Sequence, residues 1–353
     1  PSARLAGTDA AQREAVEGAR EFRGMTLIDM ARDCIEVAGG NVRGFGRREI
    51  AVAALNLDSD IGQRAGMLST SDFPQLMANT INRTLRAAYQ EAPRTFQPWA
   101  RMSTAPDFRE IARVQLSGLT ALQQVKEGGE YKYMSFGDSA EKYSLSKYGG
   151  IIAVTWETIV NDDLGAFNRI PVMIANEAAG LEGDIVYGAL TANAALSDTV
   201  ALFHATHNNL ATGAAITDTS LTLARKLMRK QTSPAGRQLN LSPVYLVTGP
   251  DYEGDANKYT SAQFVAAKSV DINPAYNTSL QVIIEGRLTG NQWYLMASPG
   301  VIDTIEYAYL EGEEGLFTEQ RQGFTVDGLE IKARHVFAAK PIDFRGMVKN
   351  PGA

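Results

Sequence analysis

Two of the three histidines stand three residues apart in Leu202-Phe203-His204-Ala205-Thr206-His207. Two imidazoles at that spacing could share a metal ion. The segment lacks the glutamate partner and the four-residue helical register of a zinc protease motif. Asn208, Asn209 and Gly213 follow, which is loop composition. Ordinary loop hydrogen bonding therefore accounts for the pair, and a metal-dependent hydrolase built on His204 and His207 stays as a rival. His335 stands alone among strand residues and is expected to be structural. Asp162-Asp163 are adjacent, so they do not share a helix face. Capping the helix that follows is their expected role. No Gly-Lys-Ser/Thr phosphate loop and no G-x-S-x-G elbow occurs. Gly44-Phe45-Gly46 follows no buried strand and carries no dinucleotide reading. Nothing assembles a nucleophile, a base and an orienting group, and no cofactor is expected. That directs attention to surfaces.

Composition agrees. With 353 residues, 44% apolar and 21% charged, the chain can fill a sizeable core. No run is long enough to cross a bilayer, so no membrane partner is expected. Residues 1–23 are small, polar and rich in Arg and Glu, unlike a signal peptide. Cys34 is the lone cysteine. It falls in the stripe of Leu27, Ala31 and Ala38 and reads as packing. A net charge of −6 argues against a general nucleic-acid binder. Arginines gather at Arg83, Arg86, Arg94, Arg101, Arg109 and Arg113. They read as a solvated or subunit-pairing face rather than a nucleic-acid footprint.

Residues 1–70 look like an arm in which only Met25–Ala38 and Ile50–Leu57 have the apolar content to dock. Ser71-Asp72-Phe73-Pro74 starts a helix. Phe73, Leu76, Met77, Ile81, Leu85, Ala88 and Tyr89 continue it at three- and four-residue spacing, and Pro93 and Pro98 end it. From Ile111 to Leu122 and from Tyr131 to Ile151, partial alternation flanks Lys126-Glu127-Gly128-Gly129-Glu130. That is a long hairpin. Asp107 to Ala153 holds six acids and six bases. A mixed-charge hairpin with few apolar residues at its tip is not stable alone, so it needs another surface. Ile170, Ile174, Ala178, Leu181, Ile185 and Ala189 then keep a helical period to Thr191, with Pro171 in the first turn. Gly180, Gly183 and Gly188 in its interior imply close approach of another backbone, and the helix reads as a packed spine nearly 30 Å long. Thr219–Lys230 is a basic amphipathic helix, Ser242–Thr248 a buried strand closed by Gly249-Pro250, and Tyr252–Ala267 helical. Gln281–Glu285 and Trp293–Ala297 are expected to pair around Gly290-Asn291. Val301 to Phe337 reads as strands, and Asp303–Gly328 holds seven acids against Arg321 alone.

This order of arm, hairpin, spine helix, mixed domain and long strands resembles the major capsid proteins of tailed bacteriophages with the HK97-type α+β fold. The likeness is greatest to the prohead-protease-associated group that includes Mu-like major head proteins. Three segments carry it. They are Asn161–Phe167 with Arg169-Ile170-Pro171, then Ala201–Leu210, then Thr304–Gly312 through Arg321-Gln322-Gly323-Phe324 and Val326-Asp327-Gly328 to Lys349-Asn350-Pro351-Gly352. The resemblance implies an N-terminal arm over 1–70, a linking helix over 71–106 and an E-loop over 107–153. It implies a P-domain spine over 154–199 with strands over 299–338, and an A-domain over 200–298 with 339–353. The implied function is a self-assembling icosahedral head enclosing double-stranded DNA without sequence-specific binding. Hexamers and pentamers of self, a scaffold, a prohead protease, a portal and decoration proteins are the implied partners, and the virion, assembled in the host cytoplasm, is the implied location. Subunit contacts are expected from Lys126, Glu127, Gly128, Gly129 and Glu130, from Arg83 and Arg86, and from Glu313, Glu314 and Arg321. Some such proteins crosslink a lysine to an asparagine. Lys126, Lys132 and Asn350 are the candidates here, though no motif selects a pair. The chain begins Pro1-Ser2-Ala3-Arg4 without Met, which fits either a trimmed chain or a maturation cleavage. An encapsulin-like shell and a tail or decoration protein are further alternatives.

Overall fold

A computed structural model of the chain describes residues 25–55, 73–114, 140–155, 157, 160–161, 164–234, 236–260, 280–322 and 328–353. It comprises two compact units. The first takes in Pro1–Glu91, Gly149–Asn176 and Phe317–Arg334; the second takes in Ala92–Tyr148, Glu177–Leu316 and His335–Ala353.

In the first unit, helices α1 (Leu27–Val37), α2 (Arg47–Ala54) and α3 (Phe73–Glu91) build the core. Thr26 opens α1 with a reciprocal cap. Its hydroxyl accepts the Asp29 N–H and the Asp29 carboxylate accepts the Thr26 N–H, both at 3.2 Å. Leu27, Ile28, Ala31 and Ile35 of α1 meet Ile50, Ala53 and Ala54 of α2 and Phe73, Met77 and Ile81 of α3, with Ile331 completing the cluster. Cys34 packs against it, as its place in the stripe foretold. The two segments with enough apolar content to dock therefore do so within the chain.

The remaining strands are β1 (Arg101–Ala105), β2 (Ile111–Val114), β3 (Ala140–Tyr143), β4 (Ser146–Thr155), β5 (Pro243–Thr248), β6 (Gln281–Ile284), β7 (Trp293–Ala297), β8 (Ile305–Leu310), β9 (Leu316–Gln322), β10 (Gly328–Pro341) and β11 (Met347–Asn350). In the first unit β10 pairs with β4 and β9. A Cβ on Gly149 would lie 2.7 Å from the Ala333 carbonyl oxygen, so only glycine admits that approach. In the second unit β1 runs parallel to β8, from Arg101 opposite Glu306 to Ala105 opposite Leu310, and β8 runs antiparallel to Phe337–Pro341. Phe96, Trp99, Tyr187, Leu190, Tyr307 and Phe337 fill the core beneath.

Helix α4 (Leu164–Thr191) has 28 residues, roughly 42 Å at 1.5 Å per residue. It is longer than Ile170–Thr191 suggested. Pro171 sits in its second turn, not its first, and is buried. A proline there removes one helical hydrogen bond without ending the helix, so it was a misleading start signal. A second expectation fails in the four-stranded sheet, whose order is β11-β7-β5-β6. Gln281–Ile284 and Trp293–Ala297 do not pair with each other. β5 lies between them, parallel to β6 and antiparallel to β7. Leu246 and Val247 of β5 are wholly buried, as a central strand requires. Around this sheet lie α5 (Asp218–Arg229), capped by Thr217, and α6 (Glu253–Thr260), the described part of the Tyr252–Ala267 helix.

Candidate assembly surfaces

The histidine pair forms a loop staple and not a metal centre. The His207 ring is buried and stacks on Phe344 at 3.7 Å and 7°. Its Nε2 lies 2.7 Å from Asp198 Oδ2 and its Nδ1 lies 3.1 Å from the Leu202 carbonyl. Both nitrogens face oxygen acceptors, leaving none for a metal. Burial alone would raise the Asp198 carboxyl, but the Val200 N–H and the His207 ring outweigh it and hold the group below its ordinary value. His204 is exposed, and its Nδ1 accepts the Thr206 N–H at 3.2 Å. Among the described residues no group of three or more His, Cys, Asp or Glu could hold a metal.

Asparagines around this loop do much of the positioning. Asn209 is buried, accepts the His204 N–H at 3.1 Å and donates to the Leu202 carbonyl at 2.8 Å. Asn193 accepts the Phe203 N–H at 2.6 Å from a left-handed backbone, φ 50°. Asn350 accepts from Ala214 and Gly352 at 3.0 and 2.9 Å and donates to the Thr212 carbonyl at 3.0 Å. Its side chain is buried and makes three hydrogen bonds, which does not suit a crosslinking partner. Asparagine offers two donors and two acceptors in a short side chain, which suits it to tying loops to strands. The only sequence signal was loop composition.

The arginines divide. Arg83 and Arg86 project from the exposed face of α3. The others do not continue that face. Arg94 Nε meets the fully buried Glu182 at 2.6 Å, Arg101 pairs with Asp303, Arg109 meets Asp107 at 3.4 Å and Arg113 Nε meets Glu306 at 2.6 Å. Two of these contacts, Arg101 with Asp303 and Arg113 with Glu306, also neutralise acids of the Asp303–Gly328 stretch from outside it. Glu182 further accepts from Tyr309 at 3.1 Å and faces His335 Nε2 at 3.1 Å. His335 Nδ1 contacts the Gly315 carbonyl at 2.9 Å, in keeping with a structural role. The glycines of α4 meet a guanidinium and not a backbone. A Cβ on Gly183 would lie 2.8 Å from Arg287 Cζ and one on Gly180 would lie 3.7 Å from its Nη2, while Gly188 faces open space. Arg287 is held there by Asp184 at 2.5 Å and Glu285 at 2.9 Å.

The hairpin is described at its base. β2 and β3 pair antiparallel, with Ile111 opposite Tyr143 and Arg113 opposite Glu141. These four residues share one face. Tyr143 donates to Glu306 alongside Arg113, and Glu141 takes the Ser197 N–H at 2.6 Å and Lys340 Nζ at 3.1 Å. Burial, then the Glu306 carboxylate, push the Tyr143 phenol above its usual range, so it donates as a neutral hydroxyl. The expected contact residues Lys126, Glu127, Gly128, Gly129 and Glu130, like Asp162, Asp163 and Lys132, lie outside the described residues. Glu314 is exposed and Glu313 half-buried in the turn after β8. Arg321 pairs with Glu330 at 2.7 Å, beside Glu319 with Lys332 and Phe317 with Arg334. The constant sum of those numbers is an antiparallel register, with all six side chains on one face of β9 and β10. On the other face Thr318 bonds Asn82 of α3. The described candidates lie on separate elements, Arg83 and Arg86 on α3, Glu313 and Glu314 in the turn after β8, and Arg321 on β9.

Among solved structures, the chain is similar to a virus-like particle from Pyrococcus furiosus, with 9% identity, 77% of this chain and 98% of that one covered, and a TM-score of 0.43. It is also similar to Mycobacterium phage Patience, with 9% identity, coverage of 84% and 91%, and a TM-score of 0.48. A third is an encapsulin complex from Synechococcus elongatus, with 13% identity, coverage of 74% and 87%, and a TM-score of 0.45. No curated protein matches the sequence. The phage capsid protein family matches residues 139–350, which run from the β3 side of the hairpin base to β11. This chain, with its α+β capsid fold, therefore belongs to the phage capsid protein family and serves a structural role.

Proposed function

We propose that the chain is the major subunit of an icosahedral, tailed-phage head that encloses double-stranded DNA, with the HK97-type arrangement. The observation that carries this is the family match across residues 139–350. A hairpin anchored at its base by Glu306 and Glu141 supports it, because its tip sequence needs a foreign surface to rest on. In this reading residues 107–153 are the E-loop, α4 with β8, β9 and β10 the P-domain, and 200–298 with 339–353 the A-domain. Hexamers and pentamers of this chain are its main partners. Scaffold, prohead protease, portal and decoration proteins act during assembly in the host cytoplasm, and the finished location is the virion. The grouping with Mu-like head proteins belongs to the same proposal. Exposed apolar side chains, Met102 and Phe108 at 49% and Met173 at 65%, give neighbours apolar area to bury, at about 25 cal/mol per Å2.

Purified protein is to be taken through size-exclusion chromatography and negative-stain electron microscopy. Closed polyhedral shells, or rings of five and six, are expected. Nuclease-protected DNA inside heads from infected cells separates a phage head from an encapsulin-like shell filled with protein. A chain that stays monomeric at every concentration, even beside its scaffold, overturns the proposal.

A further inference from the structure

The mixed domain carries opposite charge at the two ends of one sheet. Helix α5 packs against β11, and α6 packs against β6 and β5. With the order β11-β7-β5-β6, the helices stand at opposite ends, roughly 14 Å apart counted as three strand spacings. From Asp218 to Lys230 there are four bases, Arg225, Lys226, Arg229 and Lys230, against one acid. From Pro250 to Thr260 there are three acids, Asp251, Glu253 and Asp255, against Lys258. Lys226, Lys230 and all three acids are exposed. Arg229 bonds the neutral Asn240 and Ser242 at 2.8 and 2.9 Å and so keeps its charge. Beside the bases, Leu223 leaves the same helix 53% exposed.

Helix dipoles favour acids at the start of α6 and bases at the end of α5. They account for all three acids, since Asp251 lies in the first turn of the 3-10 segment Pro250–Tyr252 that runs into α6, but not for the placement of the two helices at opposite sheet ends. At physiological salt the screening length is about 8 Å, shorter than the separation, so the two faces do little to neutralise each other within one chain. A surface that is positive at one end and negative at the other suits head-to-tail contact, and a heterologous contact of that kind gives a ring when its rotation closes.

We propose that the exposed face of α5, centred on Lys226 and Lys230, docks on the acidic α6 end, Asp251 to Asp255, of a second copy of this chain, and that this contact sets the ring direction of the capsomer. The proposal rests on the capsid reading and specifies its contact. Two charge-reversed chains test it, K226E/K230E and D251K/D255K, with thermal melting to confirm that each folds. Each alone is expected to need about tenfold more protein to form rings or shells. An equal mixture of the two restores assembly, with native mass spectrometry showing even-numbered rings of alternating subunits. Reversed chains that assemble like the parent overturn the proposal, as do folded chains whose mixture assembles no better than either alone. In both cases the parent still forms shells and the capsid reading stands. A parent that forms neither rings nor shells overturns both.

Discussion

Glu182 sits at full burial on α4 with Arg94 at 2.6 Å, Tyr309 at 3.1 Å and His335 at 3.1 Å around its carboxylate. Removing one member of such a set leaves the others buried without their charge partner. Glu182→Ala is expected to lower subunit stability by about 3–5 kcal/mol, read from chemical denaturation of unassembled protein. A loss below about 1 kcal/mol contradicts the account. A separate contact, the Asp198 carboxylate against His207, gives a pH signature. A carboxyl held below its unfolded value stabilises the fold above that value, about pH 3.9, and the contribution fades as pH falls through the lower folded value. The melting temperature of Asp198→Asn should therefore trail the parent's at neutral pH and converge with it below about pH 4. A constant gap across that range argues against the pairing. Sequence reading placed His335 and Cys34 correctly because isolation and stripe position suffice for such judgements. It did not assign the roles of Asn193, Asn209 and Asn350, because loop composition does not say which backbone groups an asparagine meets: Asn193 and Asn209 reach Phe203, His204 and Leu202 nearby, while Asn350 reaches Thr212 and Ala214 from far along the chain.

Helices were more legible than sheet order. The cores of α1, α3, α4 and α5 were visible as a three- and four-residue period, since that period is local. The bounds of α4 were not, because Pro171 reads as a first-turn residue whether or not a turn precedes it. β6 and β7 were expected as neighbours since they are adjacent in sequence. The insertion of β5 between them depends on the long-range fit of Leu246 and Val247 into the core, which no local pattern encodes. Gly249, at the end of β5, was read only as a strand stop. A Cβ there would lie 2.2 Å from the Leu288 carbonyl oxygen, and a backbone atom cannot swing aside as a side chain can. Gly249→Ala is expected to cost at least about 1–3 kcal/mol and to lower the melting temperature of the subunit. Unchanged melting would mean that the Leu288 turn moves freely. At the hairpin base, the alternation that predicted two strands also predicted their facing residues, and Ile111, Arg113, Glu141 and Tyr143 share the inner face as period two requires.

At the scale of the whole chain, the informative signal was an absence of assembled chemistry together with a hairpin that lacked its own support. Which surfaces meet was not legible, because an exposed Met173 or Arg86 in one copy has the same sequence character whether it faces water or a neighbour. The hairpin offers a clean separation of folding from assembly. Val114 and Ala140 are directly opposed in the β2–β3 ladder, so residues 115–139 can be replaced by Asn-Gly, the pair that favours a two-residue turn. The internal contacts at the base, Arg113 with Glu306 and Glu141 with Lys340, remain. If the hairpin serves a neighbouring copy, the shortened subunit should be at least as stable as the parent, by up to about 2 kcal/mol, since each halving of the loop lowers its closure cost by about 0.6 kcal/mol. It should also fail to form closed shells at any protein concentration where the parent does. Sedimentation and negative-stain images of the two chains under identical conditions decide the matter. Shells of parental size from the shortened chain would show that the hairpin beyond Val114 is dispensable for assembly. Loss of stability together with assembly would show that it serves its own subunit instead.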